Sequence, residues 1–261
     1  MKIGVIGGGN MGGATARGVV SAGVISPSDL TVSDPSEAVR ESFKTFDPAI
    51  RTTDDNVSAI VGADVVIVAV KPWLMEQVIG QIAPTIDRER QIIISVAATI
   101  TFEMLGNYLG GGKIPPLFRA VPNTAISLGE SATFVASHGT SEAQVEAVRA
   151  LFAPLGKIWM VDESLIGAVT ALSSSGIAYV FRYIDAAVKG GEELGISRSE
   201  GLQIMLQTVR GALAMLEHND TQPQTEIDKV TTPGGLTLKG LAAMEENGFT
   251  HAVIEGLKAT K

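Results

Sequence analysis

The stretch KIGVIGGGNMG, residues 2–12, decides the fold class. A short apolar run leads straight into glycines, and Gly7, Gly9 and Gly12 have the G-x-G-x-x-G spacing of a strand-to-helix turn that binds a dinucleotide. Gly7 allows the tight turn, Gly9 lets a pyrophosphate reach the main chain, and Gly12 lets helix and strand pack closely. The alternative is a glycine-rich turn that binds no ligand.

Beyond this turn, short β-branched runs alternate with amphipathic stretches as far as residue 161. This alternation is typical of an α/β domain, a Rossmann-like, doubly wound, mostly parallel sheet with helices on both faces. We therefore expect an NAD(P)-binding domain over residues 1–161. The predicted strands are 2–6, 30–33, 64–70, 91–97, 117–121, 132–136 and 157–161, and helices are predicted over 10–22, 72–82 and 141–152.

Asp34 ends the second predicted strand, about 20 residues after the glycines, where an acidic side chain can accept hydrogen bonds from the adenosine ribose hydroxyls. Its carboxylate would repel a 2′-phosphate, so the cofactor prediction is NAD(P)H, leaning to NADH. Arg40 could still accommodate NADPH. Alternatively, Asp34 simply caps the helix that follows it.

Other cofactor contacts are expected at the carboxyl ends of the parallel strands, where such sheets bind their ligands. The sequences AVKP, SVAAT and VPNT end three of the predicted strands. Lys71 could equally be a solvated residue, and Asn123 could merely make a turn. With the start of the first helix, these strand ends give the remaining predicted cofactor residues: Asn10, Met11, Ala69, Lys71, Pro72, Ala97, Ala98 and Asn123.

Composition excludes several classes of protein. The 261 residues carry a formal net charge of −8 without a basic stripe, so we expect no nucleic-acid partner. Cysteine is absent, which excludes disulfides and thiol chemistry, and the three histidines lack metal-ligand spacing, so no metal is predicted. No signal peptide and no sufficiently long apolar run are apparent, which predicts a cytoplasmic protein with no membrane partner.

The chain changes character over residues 162–261, where the strand pattern gives way to helices. We predict helices over 162–194, 197–219, 225–231, 237–247 and 250–260. About 100 residues of helices that are apolar on more than one side make a poor independent core. We therefore expect an all-α dimerisation domain and a homodimer or a higher homo-oligomer of dimers.

The sequence TTPGGLT, residues 231–237, interrupts these helices. Pro and Gly are common in connectors, which is the simpler interpretation. However, Gly234 and Gly235 would let a ligand touch the main chain, and the N–H groups of Gly235, Leu236 and Thr237 would open the next helix. Together they could form a site for a carboxylate-sized anion without a basic side chain.

With these motifs in place, the chain resembles the pyrroline-5-carboxylate reductase family from end to end. VTTPGGLT at 230–237 is similar to the family's C-terminal signature, and IGGGNMG, VKP, RAVPNTA and TALSSSGIAYVF follow in the family's order and spacing. The resemblance implies the last step of proline biosynthesis, NAD(P)H-dependent reduction of 1-pyrroline-5-carboxylate, with an active site formed partly by a partner chain. It also implies that Thr232, Gly234, Gly235 and Leu236 hold the carboxylate of a small imino acid, with Thr237 near the ring nitrogen.

The chain departs from the family's pattern at several of these positions. Thr232 replaces the usual Ser, Leu236 replaces a small residue, and Ser174 and Ile177 stand where Gly and Pro are usual. Main-chain donors survive a change of side chain, whereas the bulk of Leu236 bears on substrate preference.

Reduction of a protonated cyclic imine requires orientation more than acid–base catalysis, because the substrate brings its own proton. We expect Thr237 to orient water or donate to the developing amine. Two other functions remain open: a β-hydroxyacid dehydrogenase-like oxidoreductase, which in that family uses a Lys that is absent from residues 172–182, and a non-catalytic dinucleotide-binding homologue.

Overall fold

The structure is a computed structural model that describes residues 1–260. Close contacts divide the chain into two compact units, Met1–Ser174 and Ser175–Lys261. The first unit contains an eight-stranded sheet, and the second is made of helices.

The sheet of the first unit has the strand order β3-β2-β1-β4-β5-β6-β7-β8. Every neighbouring pair is parallel except β6 and β7, which are antiparallel. Strands β2 and β3 are thus added on one side of β1, and β4 and the later strands are added on the other side. This reversal creates a topological switch point between β1 and β4. The strands are β1 Ile3–Ile6, β2 Leu30–Ser33, β3 Arg51–Thr53, β4 Val65–Val68, β5 Ile92–Ser95, β6 Leu117–Val121, β7 Ser131–His138 and β8 Gly156–Met160.

Helices connect these strands and form two hydrophobic layers, one on each face of the sheet. In β4, Val65 and Ile67 belong to one layer while Val66 and Val68 belong to the other. This alternation explains the unbroken apolar runs of the strands, since both faces are buried. The helices of this unit are α1 Asn10–Ser21, α2 Glu37–Phe46, α3 Asn56–Ile60, α4 Met75–Ile82, α5 Phe102–Tyr108, α6 Glu142–Phe152 and α7 Ile166–Val169.

The prediction of a Rossmann-like, mostly parallel sheet followed by helices is confirmed. Strand β3 was not predicted, because its sequence RTT is polar and it lies at the edge of the sheet beside β2. Edge strands bury little apolar area, so they leave a weak signal in the sequence.

A continuous helix, Glu163–Glu193, joins the two units of the chain. It begins with a 3₁₀ turn, continues through α7, and widens into a π-helical segment, Thr170–Ser175, before the second unit begins. Sequence periodicity predicts the helix over 162–194 but does not reveal the π segment. By length and composition alone this helix could cross a membrane, which for a single helix is weak evidence.

The second unit has almost no core of its own. Val188 is the one buried apolar side chain within residues 175–260, whereas large side chains such as Phe181, Leu194 and Leu213 are exposed. So much exposed apolar surface is typical of a face that another protein surface covers. The helices of this unit are α8 Gly176–Glu193, α9 Arg198–Asn219, α10 Pro223–Lys229, α11 Leu236–Glu246 and α12 Phe249–Lys258.

Candidate functional site

The glycine turn between β1 and α1 forms the centre of the candidate site. Gly7 has a φ of +95°, which glycine adopts without strain. A side chain on Gly12 would lie 2.0 Å from the carbonyl oxygen of Gly7 and 2.7 Å from Cβ of Ala69. Gly9 differs, since apart from its own atoms and its two chain neighbours no heavy atom of residues 1–260 lies within 4 Å of where its Cβ would be. Two glycines therefore allow close packing, and the third borders open space.

Helix α1 begins at Asn10 and presents unpaired N–H groups beside Gly9. The first helical hydrogen bond runs from Gly13 N–H to Gly9 O at 2.6 Å, and within residues 1–260 no side chain caps this end. The N–H groups of Asn10, Met11 and Gly12 consequently have no carbonyl partner in the helix. Such an end, with its positive dipole, is suited to a pyrophosphate.

Gly8 is a residue of the turn that the fingerprint does not include. A Cβ at this position would lie 2.8 Å from the side chains of Phe43 and Val39, so the turn packs directly on α2. Its N–H donates to Oδ2 of Asp34 at 2.9 Å. Gly8, the second glycine of GGG, is the sequence feature that corresponds to this close contact.

Both carboxylate oxygens of Asp34 accept main-chain hydrogen bonds. Oδ2 accepts from Gly8, and Oδ1 accepts from the N–H of Ser36 at 2.9 Å. The alternative interpretation, that Asp34 caps α2, is wrong, because Ser36 is the cap and its hydroxyl accepts from Val39 N–H at 3.4 Å. Asp34 therefore joins the glycine turn to the turn after β2.

Arg40 points its guanidinium back at the main chain of that turn. Nη1 donates to the carbonyl of Asp34 at 2.7 Å and to the carbonyl of Pro35 at 3.0 Å. The guanidinium of Arg40, which could accommodate the 2′-phosphate of NADPH, therefore donates to the main chain in this structure.

A cavity of 780 Å³ lies at the carboxyl ends of β1, β2, β4 and β5, at the switch point of the sheet. Ligands in open α/β sheets bind at this position. On the β2 and β3 side the lining includes Asp34, Asp54 and Asn56; on the β5 side it includes Ala97 and Ala98. The structure brings together ten predicted cofactor residues here: Gly7, Gly9, Asn10, Met11, Asp34, Ala69, Lys71, Pro72, Ala97 and Ala98.

Two predicted cofactor residues do not line this cavity, Gly12 and Asn123. Asn123 is buried, and its side chain makes hydrogen bonds within the protein. Oδ1 accepts from Ala125 N–H at 3.0 Å, and Nδ2 donates to Ser173 Oγ at 3.1 Å. These contacts support the alternative that Asn123 makes a turn.

The π segment of the long helix packs on the same turn and on β7. Ser173 Oγ donates to the carbonyl of Ala132 at 3.2 Å, and Ser174 Oγ donates to the carbonyl of Pro122 at 3.0 Å. Ser174, one of the departures from the family's pattern, thus makes a contact that glycine could not make. π-Helical turns occur frequently at functional sites.

In the second unit, residues 232–235 form a turn with the features of a type II β-turn. Gly235 N–H donates to Thr232 O at 2.8 Å, Pro233 occupies the second position, and Gly234 has a φ of +75° at the third. A Cβ on Gly235 would lie 2.7 Å from Thr232 Oγ1. The turn itself therefore favours both glycines, and Pro233 suits its second position.

Helix α11 starts at Leu236, directly after this turn. The prediction that the N–H of Gly235 is free for an anion is wrong, because Thr232 O already accepts it. The first helical bond, Lys239 N–H to Gly235 O, leaves the N–H groups of Leu236, Thr237 and Leu238 without a helical partner. No side chain within residues 1–260 caps α11, and Leu236 is 85% exposed.

Glu226 lies on α10, just before this turn. Its Oε1 accepts from Lys229 Nζ at 2.7 Å and from Thr221 and Asn219, which ties α10 to the end of α9. The hydrogen bond from Lys229, followed by that from Thr221, lowers the pKa of Glu226 to about 2. Within residues 1–260, no cluster of three or more His, Asp or Glu side chains could hold a metal ion.

Comparison with known proteins gives two family matches. Residues 163–261 match the family described as pyrroline-5-carboxylate reductase dimerisation, and residues 2–99 match the family described as NADP oxidoreductase coenzyme F420-dependent. The first match begins at the residue where the long helix begins.

Relatives and solved structures agree with the first match. The chain is 32% identical to pyrroline-5-carboxylate reductase from Synechocystis over 99% of this chain and 95% of the relative. It is 35% identical to the enzyme of that name from Pseudomonas aeruginosa, over 99% and 93%. The crystal structure of Plasmodium falciparum pyrroline carboxylate reductase with NADP bound superposes with a TM-score of 0.91 at 26% identity, covering 100% and 95% of the two chains.

Proposed function

The chain belongs to the pyrroline-5-carboxylate reductase family, and we propose that it reduces 1-pyrroline-5-carboxylate to L-proline with NAD(P)H, the last step of proline biosynthesis. It is an oxidoreductase that acts on a CH–NH group. The full-length match to relatives of that name carries this conclusion, and the glycine turn at the switch-point cavity supports it.

The residues of the first unit fit a bound dinucleotide. Gly9 leaves the surface of the turn open, and the N–H groups of Asn10, Met11 and Gly12 would hold the pyrophosphate. With the adenosine ribose at Asp34, the nicotinamide half would lie across the switch point at the β5 side, where the small side chains of Ala97 and Ala98 leave room. The reduced nicotinamide supplies the hydride for the reaction.

We further propose that the chain prefers NADH. The carboxylates of Asp34 and Asp54 line the adenosine side of the cavity, and Arg40 donates to main-chain carbonyls instead of lining it. Two carboxylates disfavour a 2′-phosphate by like-charge repulsion. Because one relative is bound to NADP, this preference would belong to the chain's own residues. Asp54→Asn should then shift the ratio of kcat/KM values towards NADPH.

For the substrate, we propose that the N–H groups of Leu236 and Thr237 hold the carboxylate, with the hydroxyl of Thr232 beside them. Gly234 and Gly235 form the turn that fixes the direction of these donors. Thr237 would also orient water or donate to the ring nitrogen as it becomes an amine. A protonated imine carbon accepts hydride readily, so the protein has to align the reactants more than it has to activate them.

The family's dimerisation region covers residues 163–261, and we propose that a second copy of the chain covers the exposed helices of the second unit. An apolar groove of 590 Å³, lined by residues that include Tyr183, Phe249 and Val253, supports this assignment. A partner copy would also cover the apolar side chains of the helix Glu163–Glu193, which is then not a membrane span. We propose assembly into dimers, or higher oligomers of dimers, and a cytoplasmic location.

Oxidation of the reduced cofactor tests the proposed reaction. Loss of the absorbance of NADH or NADPH on adding 1-pyrroline-5-carboxylate, with formation of proline, is the expected result. Turnover of 3-hydroxy acids with oxidised cofactor, and none of the imine, would instead indicate a β-hydroxyacid dehydrogenase. Tight dinucleotide binding without turnover would indicate a non-catalytic homologue.

A further inference from the structure

Arg119 is a buried cation beside the cofactor cavity that sequence reasoning did not select. It lies in β6 with 3% of its surface exposed. Nη1 donates to Oε1 of Glu163 at 2.7 Å, and Nη2 donates to the carbonyl of Ala98. Its Nε is buried without a hydrogen-bond partner among residues 1–260.

Glu163 extends this contact to a third segment. The same Oε1 accepts from the N–H of Phe102, the first residue of α5, at 2.7 Å. One carboxylate oxygen thus joins the start of α5 to Arg119, and Arg119 joins both to Ala98. The pair therefore holds the main chain after β5 at two points, Ala98 in the connecting segment and Phe102 at the start of α5.

Stability alone is a weak reason for such a pair. Arg119 is buried, whereas 35% of the Glu163 side chain is exposed. Removing the guanidinium from water costs several kcal/mol, and a partner that remains partly solvated repays less of that cost. The unpaired Nε of Arg119 adds a further cost. The arrangement requires another explanation, and its position suggests one.

We propose that Arg119 and Glu163 are positioning residues. They fix the carbonyl of Ala98, and Ala98 in turn orients the nicotinamide half of the cofactor. This inference rests on the proposed dinucleotide binding. Ala98 lines the cavity on the β5 side, whereas Asp34 and Asp54 line it beyond β1, on the β2 and β3 side. The adenosine half therefore lies away from the pair, and a loss of the pair should affect the two halves differently.

The two halves can be separated by comparing NADH with ADP-ribose, which lacks only the nicotinamide. We expect Arg119→Lys, which keeps the charge but not the planar fork, to raise the Kd for NADH about tenfold or more and to lower kcat. The Kd for ADP-ribose should change less than about twofold, because its contacts lie at the glycine turn and Asp34. Glu163→Gln retains an acceptor oxygen and should give a smaller change in the same direction.

Arg149→Met provides the matched control. Arg149 pairs with Glu146 on the surface of α6, so its replacement should leave both dissociation constants unchanged. If Arg119→Lys weakens NADH and ADP-ribose by the same factor, or weakens neither, the positioning role is wrong. The same conclusion follows if Arg119→Lys and Glu163→Gln both fail to fold, since the pair is then a folding element. If the unaltered protein binds neither ligand, the proposed function itself fails, and this inference fails with it.

Discussion

Gly12→Ala is the substitution for which the structure gives the most definite expectation. The new Cβ would lie 2.0 Å from the carbonyl oxygen of Gly7 and 2.7 Å from Cβ of Ala69. Ordinary contact begins at 3.4 Å, so the start of α1 would have to move by about 1.4 Å relative to the glycine turn. Both contacts are with backbone or with a Cβ atom, which cannot rotate away.

The expected cost has two opposing parts. Overpacking of this kind costs about 1–3 kcal/mol. Alanine in place of glycine within a helix returns about 1 kcal/mol. The free energy of unfolding should therefore fall by about 0–2 kcal/mol, while displacement of the N–H groups of Asn10 and Met11 should weaken dinucleotide binding by about tenfold or more.

Gly80→Ala is the matched control. Gly80 lies in helix α4 and is exposed, and beyond its chain neighbours and the backbone of its own helix no heavy atom of residues 1–260 lies within 4 Å of its Cβ position. The same substitution there should stabilise the protein by about 0.5–1 kcal/mol and leave dinucleotide binding unchanged.

Urea unfolding followed by the fluorescence of Trp73 and Trp159 gives the stability of each variant, and titration with NADH gives its affinity. Gly80→Ala should be more stable than the unaltered protein, and Gly12→Ala should be as stable as the unaltered protein or less stable. If Gly12→Ala bound NADH as tightly as Gly80→Ala does, the packing of α1 against the turn would not control the phosphate site, and the reasoning would be refuted.

Three further predictions concern the second unit. Gly235→Ala should raise KM for the imino acid more than KM for the cofactor, because the new Cβ would lie 2.7 Å from the hydroxyl of Thr232 in the turn. Gly240→Ala is the control and should change neither KM, because the described chain makes no close contact at its Cβ position. Thr237→Ala should lower kcat and leave the Kd for NADH unchanged; unaltered steady-state kinetics would remove Thr237 from the mechanism. The pKa of Glu226 is lowered from 4.5 to about 2, chiefly by the hydrogen bond from Lys229. Its contribution to stability is therefore complete above pH 4.5 and is lost as the pH falls towards 2. The stability of Glu226→Gln should lack this pH dependence, and an acid-unfolding profile identical to that of the unaltered protein would contradict the prediction.

The sequence was sufficient for the features that depend on local chemistry. The buried strands could be predicted because both faces of the sheet require apolar residues, as in β4. The glycine turn could be predicted because Gly7 needs a positive φ, and Gly12 a close approach, that other residues do not allow. In each case one residue type satisfies one local requirement, and the neighbouring residues indicate the same structure.

The features that were missed depend on partners distant in the sequence. Arg119 and Glu163 are 44 positions apart, and the motif RAVPNTA, which begins at Arg119, does not indicate its partner. Gly8 is required by the side chains of α2, which the fingerprint does not describe. The N–H of Gly235 was assigned to a ligand because the sequence does not show that Thr232 O accepts it first. Periodicity reports which face of an element is buried, but not which atoms it meets.

The net charge of the chain opposes both of its proposed ligands, and the helix N-termini explain how they could still bind. The chain carries −8, while the dinucleotide is an anion and the imino acid carries a carboxylate. Charges more than about 10 Å away are largely screened at 0.1 M salt, whereas the N–H groups at the starts of α1 and α11 would touch the anions directly. These donors do not titrate, and glycines with positive φ, Gly7 and Gly234, fix their directions. The pH dependence of reduction would then be set mainly by the proton on the substrate's own nitrogen, which explains why so few ionisable residues need to surround the reaction.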